Sequence, residues 1–232
     1  MKKKILIIGG SHGIGLETTR LLAKDHDIYV GARTKENLVN IDCNYFNFDV
    51  LKDDIASVGL PDSLDGFVYC PGSINLRPFK MLKPEDFQKE LELNFLSLVR
   101  ILQGILTKLK SGEKASLVFF STVAVKVGMP FHTSISAAKG AIEGFARSLA
   151  AEYAPTLRVN VIAPSLTDTR LAEKLVSNES KRSVIEERHP LKRIGEASDI
   201  ANLVEYLISD KSSWMTGQTI GMDGGLSSLN LN

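Results

Sequence analysis

The chain is poor in the residues that build disulfides and metal sites. Its 232 residues include two cysteines, Cys43 and Cys70, and four histidines, and none of these has the spacing of a metal-ligand motif. Two isolated cysteines indicate buried thiols in a reducing compartment rather than a disulfide framework. Net charge is also low, at +1, with lysines and acidic residues interspersed. This balance gives no electrostatic attraction to nucleic acid or to an anionic membrane, so we expect neither as a partner.

Long hydrophobic runs are missing as well. The opening segment MKKKILIIGG has the charge pattern of an export signal, but its apolar run contains four residues and ends in two glycines. Such a run is too short for an export segment. We therefore expect a cytoplasmic protein whose first apolar run is a buried strand.

Short apolar segments alternate with longer helical patterns along the whole chain. The expected strands are KILIIG, DIYVGAR, NYFNFDV, DGFVYCPG, ASLVFFS, LRVNVIAP and QTIGMDGG. The expected helices span about 13–24, 84–110, 132–153 and 197–209. Strands that are apolar on both faces and separated by helices indicate a parallel sheet covered on both sides. We predict an α/β fold, a single doubly wound Rossmann-type domain over residues 1–232, in which the polar, irregular segment 166–190 is a candidate substrate lid.

A glycine-rich segment, IIGGSHGIGLE, follows the first expected strand and opens the first helix. Its glycines allow phosphate groups to approach bare backbone, and the helix N-terminus offers unpaired N–H groups with partial positive charge. A tight turn without a ligand is the alternative. The position in an alternating β/α chain favours a dinucleotide site. The residues expected to form it are Gly9, Ser11, His12, Gly13, Ile14 and Gly15.

The spacing G-x-x-x-G-x-G resembles that of the short-chain dehydrogenase/reductase family, and further motifs follow in the family's order. They are LELNFLSL, LVFFSTVAV, SAAKGA, RVNVIAPSLTDT and the tail from HPLKRIGEASD to GMDGG. The resemblance covers residues 3–226. It implies a nicotinamide-dependent oxidoreductase, similar to 3-oxoacyl-acyl-carrier-protein reductases, that forms a homodimer or homotetramer through its long helices.

The end of the second strand discriminates between the two nicotinamide dinucleotides. An acidic residue there would bind the ribose 2′-hydroxyl and repel a 2′-phosphate. The segment VGARTKENL has no acid before Arg33, whose guanidinium can hold a phosphate through two hydrogen bonds. NADP is therefore expected rather than NAD, the alternative being a solvated loop arginine. The remaining nucleotide contacts implied by the resemblance are Asp49, Val50, Gly72, Lys139, Pro164, Thr167 and Thr169.

The resemblance also assigns catalytic positions. Asn94 matches the family's active-site asparagine, which helps to hold a water-linked proton route; a helix–helix hydrogen bond is the alternative for this mid-helix residue. Thr122 matches a substrate-binding serine, with the adjacent Ser121 as the alternative, unless both hydroxyls only cap the strand end. Lys139, in an apolar helix, matches the lysine that binds the nicotinamide ribose.

The tyrosine that donates the proton in this family is absent, because Ile135 occupies its position four residues before Lys139. His132 is a hypothetical replacement: it lies seven residues before Lys139, about 20° away in helical angle. The enoyl-reductase branch of the superfamily places its tyrosine at that spacing, and imidazole suits proton donation near neutrality. The alternative is a loop histidine on the rim of a pocket. Other proton sources are Ser134, Ser136 and a water relayed past Asn94.

Two functions are compatible with these patterns. The first is an NADPH-dependent reductase of a carbonyl or activated alkene in a small apolar substrate, with a proton donor other than tyrosine. Its support is the presence of Asn94, Thr122 and Lys139 together. The second is a non-catalytic NADP-binding sensor, or a structural partner in a mixed oligomer, which Ile135 and the unusual strand end YCPG favour.

Overall fold

A parallel sheet forms the centre of the molecule in the computed structural model, which describes residues 2–230; residues 1 and 231–232 of the predicted domain lie outside it. The strands are β1 (Lys4–Ile8), β2 (Asp27–Ala32), β3 (Asn44–Asn47), β4 (Gly66–Tyr69), β5 (Ser116–Phe120), β6 (Arg158–Pro164), β7 (Thr167–Asp168), β8 (Gly195–Glu196) and β9 (Thr219–Met222). Seven of them pair in the order β3-β2-β1-β4-β5-β6-β9, and β7 pairs with β8. The predicted doubly wound parallel sheet is confirmed.

Helices cover both faces of this sheet. They are α1 (Gly13–Leu22), α2 (Pro84–Leu91), α3 (Ser97–Lys110), α4 (Val123–Val127), α5 (Thr133–Tyr153), α6 (Glu179–Arg188) and α7 (Ala197–Ile208). The helix expected over 84–110 is interrupted, because a π-helical turn, Glu92–Leu96, joins α2 to α3. Such turns insert one residue into a helix and often lie at functional sites.

Side-chain alternation along the strands explains the two-sided core. In β1, Leu6 and Ile8 pack into the cluster that includes α3 and α5, whereas Ile5 and Ile7 pack into the cluster that includes α1 and α7. Successive residues of a strand point to opposite faces, so an unbroken apolar run supplies both layers at once. Each fully buried aliphatic side chain contributes about 1.5–3 kcal/mol through loss of its water-exposed surface.

Two local predictions were wrong. The segment 166–190 is not irregular throughout, because α6 lies within it; Asn178 caps this helix by accepting a hydrogen bond from the Lys181 N–H. None of its residues is buried, so it lacks the apolar periodicity by which a helix is predicted. In addition, β3 ends at Asn47, before Asp49 and Val50, which follow it in a turn.

Within residues 2–230, no helix has the length and apolarity needed to span a membrane. The same range contains no group of three or more His, Cys, Asp or Glu side chains arranged to hold a metal ion. Cys43 and Cys70 are free thiols.

Candidate active site

The carboxyl ends of β1 and β4 lie side by side where the strand order reverses, and the glycine-rich segment crosses this point. Gly9 has a positive φ of 81°, and a Cβ there would lie 3.1 Å from Pro71 Cδ. A Cβ on Gly15 would lie 2.3 Å from the carbonyl oxygen of Gly9, a backbone atom that cannot move aside. The segment is thus closed to side chains, and ligands of open α/β sheets bind at this place.

The N-terminus of α1 opens onto the same cradle. His12 is its N-cap residue, with extended backbone and no capping hydrogen bond from its side chain, so the first N–H groups of α1 lack a side-chain acceptor there. Asn37 Nδ2 donates to the carbonyl oxygen of Ser11 at 3.0 Å and fixes the loop from outside. Bare backbone next to free N–H groups fits the pyrophosphate of a dinucleotide.

Cations surround the cradle. Arg33 follows β2 and is exposed, and no carboxylate among residues 2–230 forms an ion pair with it. Arg170 lies 3.3 Å, Nη1 to Nε2, from His12. Because a guanidinium can only donate, His12 accepts through Nε2 and donates from Nδ1 to Ser11 Oγ, 3.0 Å away. Arg170 was missed by sequence reasoning, since nothing in the sequence shows that its loop meets the cradle.

The other predicted nucleotide contacts are spread over three places. Asp49 and Val50 lie in the turn after β3, at the edge of the sheet, where the Asp49 carboxylate accepts from the Leu51 N–H at 3.1 Å. Pro164 ends β6. Thr169 reaches the cradle, because a Cβ on Gly13 would lie 3.2 Å from its methyl group. Thr167, another predicted nucleotide contact, is buried. Gly72 lies apart from these residues, next to Asn94 and Lys139.

Asn94 is fully buried on the π-helical turn and takes part in a polar cluster. Its Nδ2 donates to the backbone oxygen of Glu90 at 2.9 Å, to Glu90 Oε2 at 3.0 Å and to Ser73 Oγ at 3.0 Å. Ser73 in turn donates to the Glu90 carboxylate. The Oδ1 atom of Asn94 has no partner. These bonds fix the amide so that its oxygen points away from Glu90.

Gly72 lies between this amide and Lys139. A Cβ on Gly72 would be 3.3 Å from both Asn94 Oδ1 and Lys139 Nζ, so a larger residue would crowd two polar atoms that glycine leaves open. Lys139 is 7% exposed, and burial lowers its pKa to about 8, against the opposing effect of the Glu90 charge and then of Cys70. Burial also raises the pKa of the Cys70 thiol to about 12, so this thiol is neutral near pH 7.

The structure distinguishes the two candidate hydroxyls after β5. Ser121 is buried and donates its proton to the Glu143 carboxylate. Thr122 is the N-cap of α4 and accepts a 3.3 Å bond from the Ala124 N–H. An acceptor role leaves the Thr122 O–H free to donate. Of the pair, Thr122 therefore has the hydroxyl that can bind a substrate carbonyl.

The helix carrying Lys139 begins at Thr133, so His132 is its N-cap rather than part of its regular face. The His132 ring lies 2.7 Å, Nδ1 to oxygen, from the carbonyl of Pro130, which therefore accepts from a protonated Nδ1. Ile135, at the position where the resemblance predicts a tyrosine, is 5% exposed. Nearby, the hydroxyl oxygens of Ser134 and Ser136 are buried without a partner.

Known proteins similar to this chain share its fold over nearly the full length. A family profile described as enoyl-(acyl carrier protein) reductase matches residues 43–227. The chain is 30% identical to a 3-oxoacyl-[acyl-carrier-protein] reductase of Thermotoga maritima, covering 97% of both chains. A short chain dehydrogenase family protein of Francisella tularensis is 29% identical and superimposes with a TM-score of 0.88, over 99% of this chain and 100% of that one.

A gluconate 5-dehydrogenase of Burkholderia cenocepacia, solved with NADP and tartrate, has a TM-score of 0.89 at 22% identity, over 99% of this chain and 97% of that one. At this identity the likeness concerns the fold alone. The profile match and the Thermotoga relative extend the likeness to sequence. This chain belongs to the short-chain dehydrogenase/reductase family of oxidoreductases.

Proposed function

We propose that this protein is an NADPH-dependent reductase of a carbonyl, or of an activated alkene, in a small apolar substrate. The observation that carries the proposal is the pair of open polar atoms at Gly72, Asn94 Oδ1 and Lys139 Nζ, beside a cradle closed to side chains. Asn94 Oδ1 is buried without a partner, and Lys139 Nζ forms no hydrogen bond within residues 2–230. Unsatisfied polar groups in an interior are unfavourable, so a ligand that bonds these two atoms stabilises the fold.

Preference for NADPH is supported by the cations around the cradle. Arg33 follows directly after β2, where an acidic residue would select NADH, and it has no competing carboxylate among the described residues. A guanidinium and a phosphate form strong, charge-assisted hydrogen bonds. Arg33 is therefore proposed to bind the 2′-phosphate.

Each catalytic residue has a distinct proposed task. A bound dihydronicotinamide would supply the hydride. Lys139 binds the ribose hydroxyls next to it, and Thr122 donates a hydrogen bond to the substrate oxygen, where negative charge develops during reduction. Asn94 presents a fixed acceptor for a water or a ribose hydroxyl. The apolar side chain of Ile135 excludes water from the remaining wall of the site.

The same isoleucine supports a second function, binding of NADP without turnover. With hydrocarbon in place of the phenol, the usual proton donor is gone, and a positioned general acid typically contributes about 10²–10⁴-fold to such reactions. In this alternative the chain acts as a sensor of NADP or as a structural partner in a mixed oligomer.

Turnover separates the two functions. NADPH oxidation is followed with a panel of ketones, aldehydes and enoyl thioesters, for the wild type and for Ile135→Tyr. The reductase function predicts turnover by the wild type, and a several-fold faster reaction in the variant because a phenol next to Lys139 adds a second acid. Turnover by the variant alone would reject the reductase function and leave the non-catalytic one.

We also propose a homodimer or homotetramer. Leu96, on the turn between α2 and α3, is 43% exposed, so apolar surface is available at the start of α3. Trp214, between α7 and β9, is fully exposed as well. A monomeric mass by light scattering at micromolar concentration would contradict assembly.

A further inference from the structure

A buried carboxylate lies at the catalytic end, and the proposed function gives it no role. Glu90 is 5% exposed and projects from the last turn of α2. It accepts hydrogen bonds from the Ser73 hydroxyl and from Asn94 Nδ2. Placing a charged carboxylate in a protein interior is costly unless hydrogen bonds and an opposite charge compensate it. Two neutral donors supply the hydrogen bonds, and the opposite charge has to come from elsewhere.

Lys139 is the buried cation on which this carboxylate acts. Burial lowers the pKa of Lys139, and the Glu90 charge is the largest of the effects that raise it. Among residues 2–230, Lys139 Nζ forms no hydrogen bond or ion pair, so its N–H groups remain available. A Cβ on Gly72 would lie 3.3 Å from both Nζ and Asn94 Oδ1, so the lysine lies near the amide that Glu90 holds.

Other charges around Lys139 do not substitute for Glu90. From β4, the Cys70 thiol is neutral near pH 7. On α5 itself, Glu143 accepts the bond from Ser121, and on α4 the Lys126 side chain is exposed. His132, at the start of α5, is bonded to the Pro130 carbonyl. Glu90 is thus the one carboxylate among these neighbours that acts on the buried ammonium.

We propose that Lys139 donates the proton to the substrate oxygen in place of the missing tyrosine, and that Glu90 is the buried counter-charge that keeps this amine protonated. The inference rests on the reductase function proposed above. Glu90 is a positioning residue, because it acts through Lys139 and does not contact the substrate itself.

The proton transfer balances without a further reagent. As hydride reaches the carbonyl carbon, the π electrons move to oxygen, and the oxygen takes a proton from Nζ. The N–H bonding pair stays on nitrogen, so the product alcohol forms next to a neutral amine. The amine then recovers its proton from water. An acid whose pKa is about 8 is well matched to this task near neutrality, and an ammonium has three N–H groups, enough to bind a ribose hydroxyl as well.

The first test measures the lysine in the cofactor-free protein. Because only neutral amines react, trace acetylation across a pH series, read by peptide mass spectrometry, gives the midpoint of Lys139. In Glu90→Gln, which can still accept from Ser73 and Asn94, this midpoint should fall by about one pH unit. Glu85→Gln, an exposed change on the same helix, should leave it in place. An unchanged midpoint in Glu90→Gln overturns the proposal whether or not the protein turns over.

The second test concerns catalysis. Reduction requires the ammonium, so activity is present below the pKa of Lys139 and falls as pH rises through it. Glu90→Gln should move this alkaline limit to lower pH, with about five-fold less turnover at pH 8, and Glu90→Asp should restore much of the activity. If the wild type turns over and the limit does not move, proton donation by Lys139 is wrong and the reductase function stands. If the acetylation midpoint moves but no substrate is turned over, the reductase function and the proton-donor role are both wrong.

Discussion

The two ends of the site are built from different parts of the chain. The nucleotide cradle consists of backbone: Gly9 and Gly15 leave no room for a Cβ, and the N–H groups of α1 provide the bonding capacity. The catalytic end consists of side chains, held by the cluster around Asn94 and by the buried Lys139. In the proposed function, the shape and dipoles of the backbone would bind a phosphate, whereas one titrating side chain would move a proton.

This difference bears on the predicted replacement of the family's tyrosine by Ile135. Ile135 lies within α5 with its side chain buried, so a change of side chain there alters the lining of the site and not the course of the backbone. A side chain added to the cradle would collide with the backbone at 2.3 Å. The cradle can therefore change little without losing its ligand, while the catalytic end can exchange its acid within an intact scaffold.

The largest effect is expected from Gly15→Ala. The added methyl group meets the Gly9 carbonyl, so the loop must open, and NADPH affinity should fall at least about 100-fold, equivalent to roughly 3 kcal/mol. Isothermal titration with NADPH measures this loss. Gly144→Ala is the matched control: it lies in α5 with nothing within 4 Å, and should raise the free energy of unfolding by about 0.5–1 kcal/mol. Equal affinities in the two variants would contradict a cradle defined by backbone.

A smaller effect is expected from Arg33→Ala, which removes a side chain next to the cradle and leaves the backbone alone. Loss of charge-assisted hydrogen bonds to the 2′-phosphate should weaken NADPH binding about 10–100-fold. NADH, which lacks this phosphate, provides the control and should bind as before. If both cofactors weaken equally, Arg33 supports the loop and does not select the cofactor.

The smallest effect is expected from His132→Ala. The ring is bonded to the Pro130 carbonyl at the start of α5, so its removal should change turnover by less than about three-fold. Steady-state rates at saturating NADPH measure this directly. A loss of 100-fold or more would instead assign proton donation to His132 and reduce the role of Lys139 to cofactor binding.

The fold was largely predictable from the sequence, because its strands are apolar on both faces and alternate with helices. The run KILII shows this: Leu6 and Ile8 pack into the core on one face of the sheet, and Ile5 and Ile7 pack into the core on the other face. Helix α6 was missed for the opposite reason: it buries no side chain, so it leaves no apolar period. Its signals are local, namely the Asn178 cap and the ion pair between Arg182 and Glu186.

The sequence predicts site residues only where a residue type is unusual in its place. Gly15 and Lys139 were predicted as site residues because a glycine after a first strand and a lysine among alanines are unusual, and the structure places Gly15 in the closed turn and buries Lys139. Glu90 was not, because in KELELN it is indistinguishable from Glu92, which pairs with Arg100 and is 41% exposed. Its spacing of four from Asn94 was the available signal, since residues four apart share a helix face. Burial of one glutamate and not the other depends on the packing of α2 against α5.

The π-helical turn also has a genetic consequence. A regular α-helix closes a turn in about 3.6 residues, whereas this turn uses one residue more for nearly the same rotation. Deleting a single residue within 92–96 would therefore leave a regular turn: α2 and α3 would become one helix, and the α3 face carrying Leu98 and Ile101 would keep its orientation to the core. Substitutions in this segment act on one contact each, whereas a single-codon deletion would spare the packing of α3 and remake the turn on which Asn94 lies.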